Sequence, residues 1–294
     1  MIGLEKLVEL RGPSSRRASP YENILRGVRC LLIIASLEMA TPSIFSRQVW
    51  RDQPRATCPE EKHPNRYIFD LLANCAVIAC ERNIAMSRRP QVEKDSQLDH
   101  NETIHRAIDL LTKLTAWRTR WDQENRNLYL GVSASCAESG LPQNNGSLIP
   151  KILHFESVPV ATITTFMLYN AALIHVLKIL ASFRSPKSDS IDPLATMLDI
   201  SPAQITMSTL QATTAKSSDY TAAMHSTAME IRPCVPSHFS KREHLSSEAL
   251  TIGQLAVKLA WETLGRRTST EGRWLDGVLR TAGGQIVARG MWTD

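Results

Sequence analysis

One run of residues constrains this chain more than any other: segment 158–183 is long and almost wholly apolar, broken only by Asn170, His175, Lys178 and several threonines. A segment apolar on every side must be covered on every side, by lipid or by the rest of the protein. Placing a lysine in hydrocarbon is costly, so the run reads as the central helix of a bundle and not as a membrane span. Other helices must then surround it.

The remaining sequence supplies them. Ser19-Pro20-Tyr21-Glu22 has the form of a helix start, with Ser19 as cap, Pro20 in the first turn and Glu22 closing a capping box. After it, Ile24, Val28, Leu31, Leu32, Ala35 and Met39 recur at three- and four-residue steps, which predicts a helix to Ala40 with that stripe turned to the interior. Thr41-Pro42 restarts a shorter helix carrying Ile44, Phe45, Val49 and Trp50. Segment 65–86 carries Ile68, Leu71, Leu72, Cys75 and Ala79 on one side, and 101–126 carries Ile104, Ala107, Ile108, Leu111, Leu114 and Trp121 opposite Arg106, Lys113, Arg120 and Glu124.

Further helices are expected over 217–231, 246–264 and 271–288, with a short piece at 194–198. Ile252, Leu255, Ala256, Leu259 and Ala260 share one face, as do Leu275, Val278, Leu279, Ala282 and Ile286. Asn145-Gly146 lacks alternating apolar flanks, so no hairpin is expected there. The fold class is all-α, a multi-helix array of about eight to ten helices without a sequence repeat. Turn-forming residues at 137–150 separate residues 1–136 from 151–294, two halves of what reads as one domain.

With 294 residues, 43% of them hydrophobic, the chain can bury a large core. A net charge of +5 does not form a dense stripe. Residues 1–57 hold nine Lys/Arg against five Asp/Glu, with Arg11, Arg16, Arg17, Arg26 and Arg29 close together, a solvated face or a docking surface for an acidic partner. The start of the chain lacks the order of a secretory signal, and apolar surroundings suit Cys30, Cys75 and Cys80 as reduced core thiols. An intracellular protein is expected, with the sequons at Asn101 and Asn145 unused.

The residues assemble no recognisable catalytic, cofactor or metal site. Cys30, Cys58, Cys75, Cys80, Cys136 and Cys234 include no CxxC pair, and Cys234, His238 and His244 lie at weak ligand spacing in a proline-bearing loop from 233 onward. Gly283-Gly284 follows no strand and precedes no Gly-Lys-Ser/Thr ending, so it does not read as a phosphate turn. His105, His154 and His175 stand alone, and Gly-x-Ser-x-Gly is absent; carboxylates remote in sequence stay open as acid and base. Arg16-Arg17-Ala18-Ser19 has the form of a basic kinase site, although Ser19 already serves as a cap. The pairs Trp117/Trp121 and Trp274/Trp292 suit core packing, or a ligand pocket between helices.

Several phrases carry a resemblance. Residues 3–13 (GLEKLVELRGP), Leu31-Leu32-Ile33-Ile34, the stretch from Phe45 to Trp50, the Trp117-Arg118-Thr119-Arg120-Trp121 core and Gly290-Met291-Trp292 together resemble the regulatory domain of fungal binuclear-zinc-cluster transcription factors. The resemblance implies a non-catalytic helical regulator in the nucleus, with some presence in the cytoplasm, that acts with other transcription regulators and with room for a small-molecule effector. A secondary-metabolite pathway is the setting it suggests. Met1 stands a few residues before the first phrase, so neither a zinc cluster nor direct DNA binding is expected, and no cofactor. A helical binding module outside transcription, or a biosynthetic enzyme of unfamiliar type, are the other readings.

Overall fold

The computed structural model describes residues 2–12, 19–51, 65–87, 93–126, 129–130, 152–153, 155, 158–183, 217–240 and 245–280. The chain is all-α. Its helices are α1 (Ile2–Arg11), α2 (Ser19–Met39), α3 (Gln48–Arg51), α4 (Asn65–Ser87), α5 (Glu93–Glu124), α6 (Val160–Phe183), α7 (Ser217–Ile231), α8 (Cys234–Ser240), α9 (Ser247–Thr263) and α10 (Thr270–Arg280), with a 3₁₀ turn at Ile44–Ser46. An antiparallel ladder of two residues per strand pairs β1 (Tyr129–Leu130) with β2 (Ile152–Leu153), where no strand is expected from sequence. Two residues are too few for alternation to be read.

Helix α6 is the centre of the array. Among the described residues it is the helix long and apolar enough to cross a bilayer, and 72% of its most apolar window is buried by protein. It packs against α4, α5, α7, α8 and α9, and the buried side chains of the helices around it join in one core. Several polar groups of α6 bond to its own backbone: Thr164 Oγ1 lies 2.8 Å from the Val160 carbonyl, Thr165 Oγ1 2.9 Å from that of Ala161, and Asn170 Nδ2 donates to that of Phe166 at 3.1 Å, while Asn170 Oδ1 and His175 Nε2 are buried without a hydrogen-bond partner. Lys178 reaches the edge of the array and meets Glu262 at 3.4 Å.

Helix α2 turns a different face inward from the one its apolar spacing predicts. Cys30, Leu32, Ile33, Ser36 and Leu37 are buried against α4 and α9, whereas Ile24, Leu31 and Met39 are 63, 44 and 53% exposed. Of the expected stripe only Leu32 is fully inside. Two neighbours ask for a wide buried face, and Arg29 lies on it: the guanidinium pairs with Asp70 of α4 and sits 5.3 Å from the Phe45 ring. A charged residue at that position breaks the apolar pattern on the side that is buried.

The end of α2 accounts for the broken helix after it. Ala40 adopts the left-handed conformation (φ 48°) and Thr41 N–H bonds back to the Ser36 carbonyl at 2.9 Å, a helix-terminating motif usually built on glycine, with Pro42 just beyond. The chain then forms the 3₁₀ turn and α3 in place of one short helix. Phe45 and Trp50 meet edge to face at 5.3 Å inside, while Val49 is 64% exposed.

Elsewhere the apolar faces lie as spaced. Ile68, Leu71, Leu72, Cys75 and Ala79 of α4 are buried, as are Ala107, Ile108, Leu111, Leu114 and Trp121 of α5 and Ile252, Leu255, Ala256, Leu259 and Ala260 of α9. Helix α5 begins earlier than position 101, and Ser246 caps α9 by accepting from Ala249 N–H at 3.2 Å. Helix α8 occupies what reads as a proline-bearing loop. Its Pro236 falls in the first turn, where a missing N–H breaks no helical hydrogen bond. The readings at 137–150, 194–198, Ala282 and Ile286 lie outside the described residues, as do the side chains of Ser19, Glu22 and Leu279.

Candidate functional site

Three groupings stand out, two inside the fold and one on its surface. The first is built on α5 and α6. Trp117 and Trp121, one turn apart, stack on each other at 6.2 Å; Trp117 also stacks on Tyr169 at 4.8 Å and Trp121 on Phe166 at 4.6 Å. Phe155 closes the group at 5.8 Å from Phe166. Arg118 lies against the same rings, 4.8 Å from that of Phe166 and 5.6 Å from that of Tyr169, and its guanidinium is held by Asp122 at 2.8 Å and Glu230 of α7 at 2.6 Å. Burial pushes the Tyr169 phenol well above its ordinary value. The rings fill one another's faces, so this pair packs the core and welds α5, α6 and α7.

The second grouping is a relay of buried polar side chains. Thr165 Oγ1 lies 2.6 Å from Asn65 Oδ1, its single proton shared between that oxygen and the Ala161 carbonyl, and Asn65 Nδ2 donates to Glu248 Oε1 at 3.2 Å, which ties α6 to α4 and α9. Glu248 sits in the first turn of α9, where the helix dipole favours its charge. Beside this relay His238 of α8 is completely buried, with Thr164 Oγ1 3.4 Å from Nδ1 and Phe239 edge-on at 4.9 Å. Gly253 makes room for it. A Cβ at Gly253 would lie 2.6 Å from His238 Nε2, so only glycine lets the imidazole rest on the α9 backbone. Burial lowers the His238 pKa to about 4, and a hydrogen bond with the Ala249 backbone opposes that shift only in part.

The weak metal grouping resolves into packing. Cys234 and His238 are both buried on α8; Cys234 Sγ donates to the Glu230 carbonyl at 3.5 Å, and burial pushes its thiol up, away from the thiolate that a metal needs. His244 lies outside the described residues, and among those described no three His, Cys, Asp or Glu side chains gather as a metal site. Cys30 and Cys75 are likewise buried free thiols, that of Cys75 pushed up to about 12. His105 is exposed on α5, while burial next to Lys178 lowers His175 to about 4. Trp274 carries Arg232 4.4 Å from its ring. Trp292, Gly283, Gly284, His154, Cys58 and Cys136 lie outside the described residues.

The third grouping is a surface. The exposed large apolar side chains among the described residues are Leu7 and Leu10 on α1, Ile24, Leu31 and Met39 on α2, Val49 on α3, and Tyr67 and Ile84 on α4. All belong to the first four helices. Those helices are joined: α2 packs on α4, the 3₁₀ turn on both α3 and α4, and Arg47 pairs with Glu9 of α1. At one end of this layer Ala40, Cys80, Asn83, Ile84 and Ser87 line an open hollow of about 330 Å³, wide enough for an apolar side chain of a partner.

The interior groupings are only partly visible in the sequence. The spacing of Trp117 and Trp121 marks that pair, but its partner Glu230 is far along the chain, and the Asn65–Glu248 contact spans a separation no local pattern carries. The surface grouping is visible as apolar spacing, yet on α2 that spacing points to the interior. Comparison of the chain with known protein families, with curated proteins and with solved structures finds no match.

Proposed function

We propose that this chain is a non-catalytic regulatory module of transcription, which works in the nucleus by binding other regulators through the outward apolar layer of α1–α4. The observation that carries this reading is segregation. Isolated apolar residues are ordinary on any surface, but here the large exposed ones among the described residues all fall on α1–α4. An apolar layer of this kind is what a helical binding module presents to a partner.

The transcriptional part of the reading rests on the sequence phrases that resemble the regulatory domain of zinc-cluster factors. One of them, Trp117-Arg118-Thr119-Arg120-Trp121, supplies the rings and the guanidinium that hold α5 to α6 and α7. A scaffold of this sort gives the α1–α4 layer a fixed base. A small effector, or a secondary-metabolite pathway as the setting, belongs to the same proposal.

The test is made in the organism and on the purified protein. Tagged chain should accumulate in the nucleus, and its deletion should change a defined set of transcripts. An Ile24→Glu/Leu31→Glu variant should melt as cooperatively as the parent and lose the regulators that the parent captures. A cytosolic protein whose deletion leaves transcripts unchanged sinks the reading, and so does turnover of a pathway intermediate by the purified chain.

A further inference from the structure

The turn between α9 and α10 carries a charge pattern that the core does not use. Of the three Arg-Arg pairs in the chain, two are followed at the same distance by serine: Arg16-Arg17-Ala18-Ser19 and Arg266-Arg267-Thr268-Ser269. Arginines two and three residues before a hydroxyl are what a basophilic serine/threonine protein kinase recognises, because each guanidinium can pair with a carboxylate of the enzyme's substrate groove. The second copy lies wholly within the described residues.

Its setting presents that pattern to solvent. Gly265, Arg266, Arg267 and Thr268 are exposed and Ser269 is half-buried. Arg267 meets Asp276 at 3.5 Å with 63% of its side chain in water, and the Arg266 guanidinium lies 5.5 Å from the Trp261 ring. Contacts so exposed contribute little, so both guanidinium groups can pass to an enzyme at small cost.

A kinase takes its substrate extended, so the turn must open. The bonds that fold it join near neighbours: Thr268 donates to the Gly265 carbonyl from its N–H at 3.0 Å and again from its hydroxyl, and the Ser269 hydroxyl donates to the Leu264 carbonyl. Arg266 is held at φ 54°, a left-handed conformation that an arginine adopts under strain, and opening releases it. Surface turns of this kind open far more readily than the fold as a whole.

The product also fits. Ser269 caps α10, its Oγ accepting from Gly272 N–H at 2.9 Å. A phosphate ester on that oxygen gives up the bond to Leu264 but places a charge of roughly −2 at the start of a helix, where the dipole favours an anion. Arg266, Arg267 and the exposed Arg273 are near in sequence to answer it, against Glu271 in the first turn of α10.

We propose that Ser269 is a phosphorylation site, modified by a basophilic serine/threonine kinase. In the transfer the Ser269 O–H bond breaks and an Oγ–P bond forms to the terminal phosphorus of ATP. The bond from that phosphorus to the bridging oxygen breaks, ADP leaves with the electron pair, and the hydroxyl proton passes to a base of the kinase. The site owes nothing to the α1–α4 layer, so either reading can fail without the other.

The purified full chain, incubated with ATP and the catalytic subunit of cyclic-AMP-dependent protein kinase, tests it, with phosphopeptides mapped by mass spectrometry. Phosphate is expected at Ser269 of the native chain, and Ser269→Ala should remove that phosphopeptide. An Arg266→Ala/Arg267→Ala variant should lower the initial rate at Ser269 roughly tenfold or more and leave the rate at Ser19 unchanged. Both arginines are exposed, so this variant should keep the parent's helical circular dichroism. Phosphate that reaches Ser269 only in urea overturns the proposal, as does modification of Ser19 alone or a rate indifferent to the arginines. So does a chain isolated with phosphatase inhibitors, from growing, starved and stressed cells, that never carries phosphate at Ser269.

Discussion

Arg118 is the residue whose loss would reach furthest. It is mostly buried, lies against two rings of α6, and answers two carboxylates, so removing it strips the charge partner from Asp122 and Glu230 and opens space among the rings together. Arg118→Ala should lower the unfolding free energy by about 3 kcal/mol, between the small value of an exposed pair and the larger one of a fully buried pair. Urea denaturation of the variant beside Arg120→Ala, an exposed arginine two residues away, measures it. His238 makes a prediction with a pH attached. The folded chain holds this imidazole at about 4, whereas the unfolded chain takes up its proton near 6.5. Falling pH therefore favours the unfolded state: the contribution is complete above about pH 6.5, drains away towards pH 4, and amounts to roughly 3 kcal/mol. His175, also held at about 4, adds to the loss in the same window. A His238→Gln variant should show a flatter dependence of melting temperature on pH between 6.5 and 5 than the parent, and an unchanged slope would contradict this account.

At the scale of elements, α2 separates what spacing can tell from what it cannot. A helix-period apolar stripe says that a face avoids water, but not whether the covering comes from the same chain. Leu31 and Ile33 are neighbours of similar size, and only the second is fully buried. Ile33→Ala should cost about 3 kcal/mol of unfolding free energy, and Leu31→Ala less than about 1 kcal/mol. Equal costs would mean that the inward face has been assigned wrongly. Helices α4, α7 and α9 are legible almost to their ends, because their apolar positions repeat cleanly and α9 begins on a serine cap. Helix α8 is not, since Pro236 reads as a breaker until its place in the first turn is known. The Asn65–Glu248 relay is equally hidden: an asparagine at a helix start looks like a cap, and nothing local reveals a partner on another helix.

At the scale of the whole molecule, the turn-rich stretch at 137–150 suggests a division that the core ignores. The Trp117 and Trp121 rings of the first half stack on Tyr169 and Phe166 of the second, and Asn65 reaches Thr165 and Glu248. Expressed separately, residues 1–136 and 151–294 should each show helical signal without a cooperative melt, and mixing or co-expression should restore a single transition. Independent melting of either half would show that its share of the core suffices. Helix α6 sets a further condition on any change of shape. Gripped by α4, α5, α7, α8 and α9, it resembles a spindle with no free side, and turning it would disturb every wall around it at once. Motion that leaves the hub intact falls to the helices that do not grip it, which among those described are α1, α2, α3 and α10.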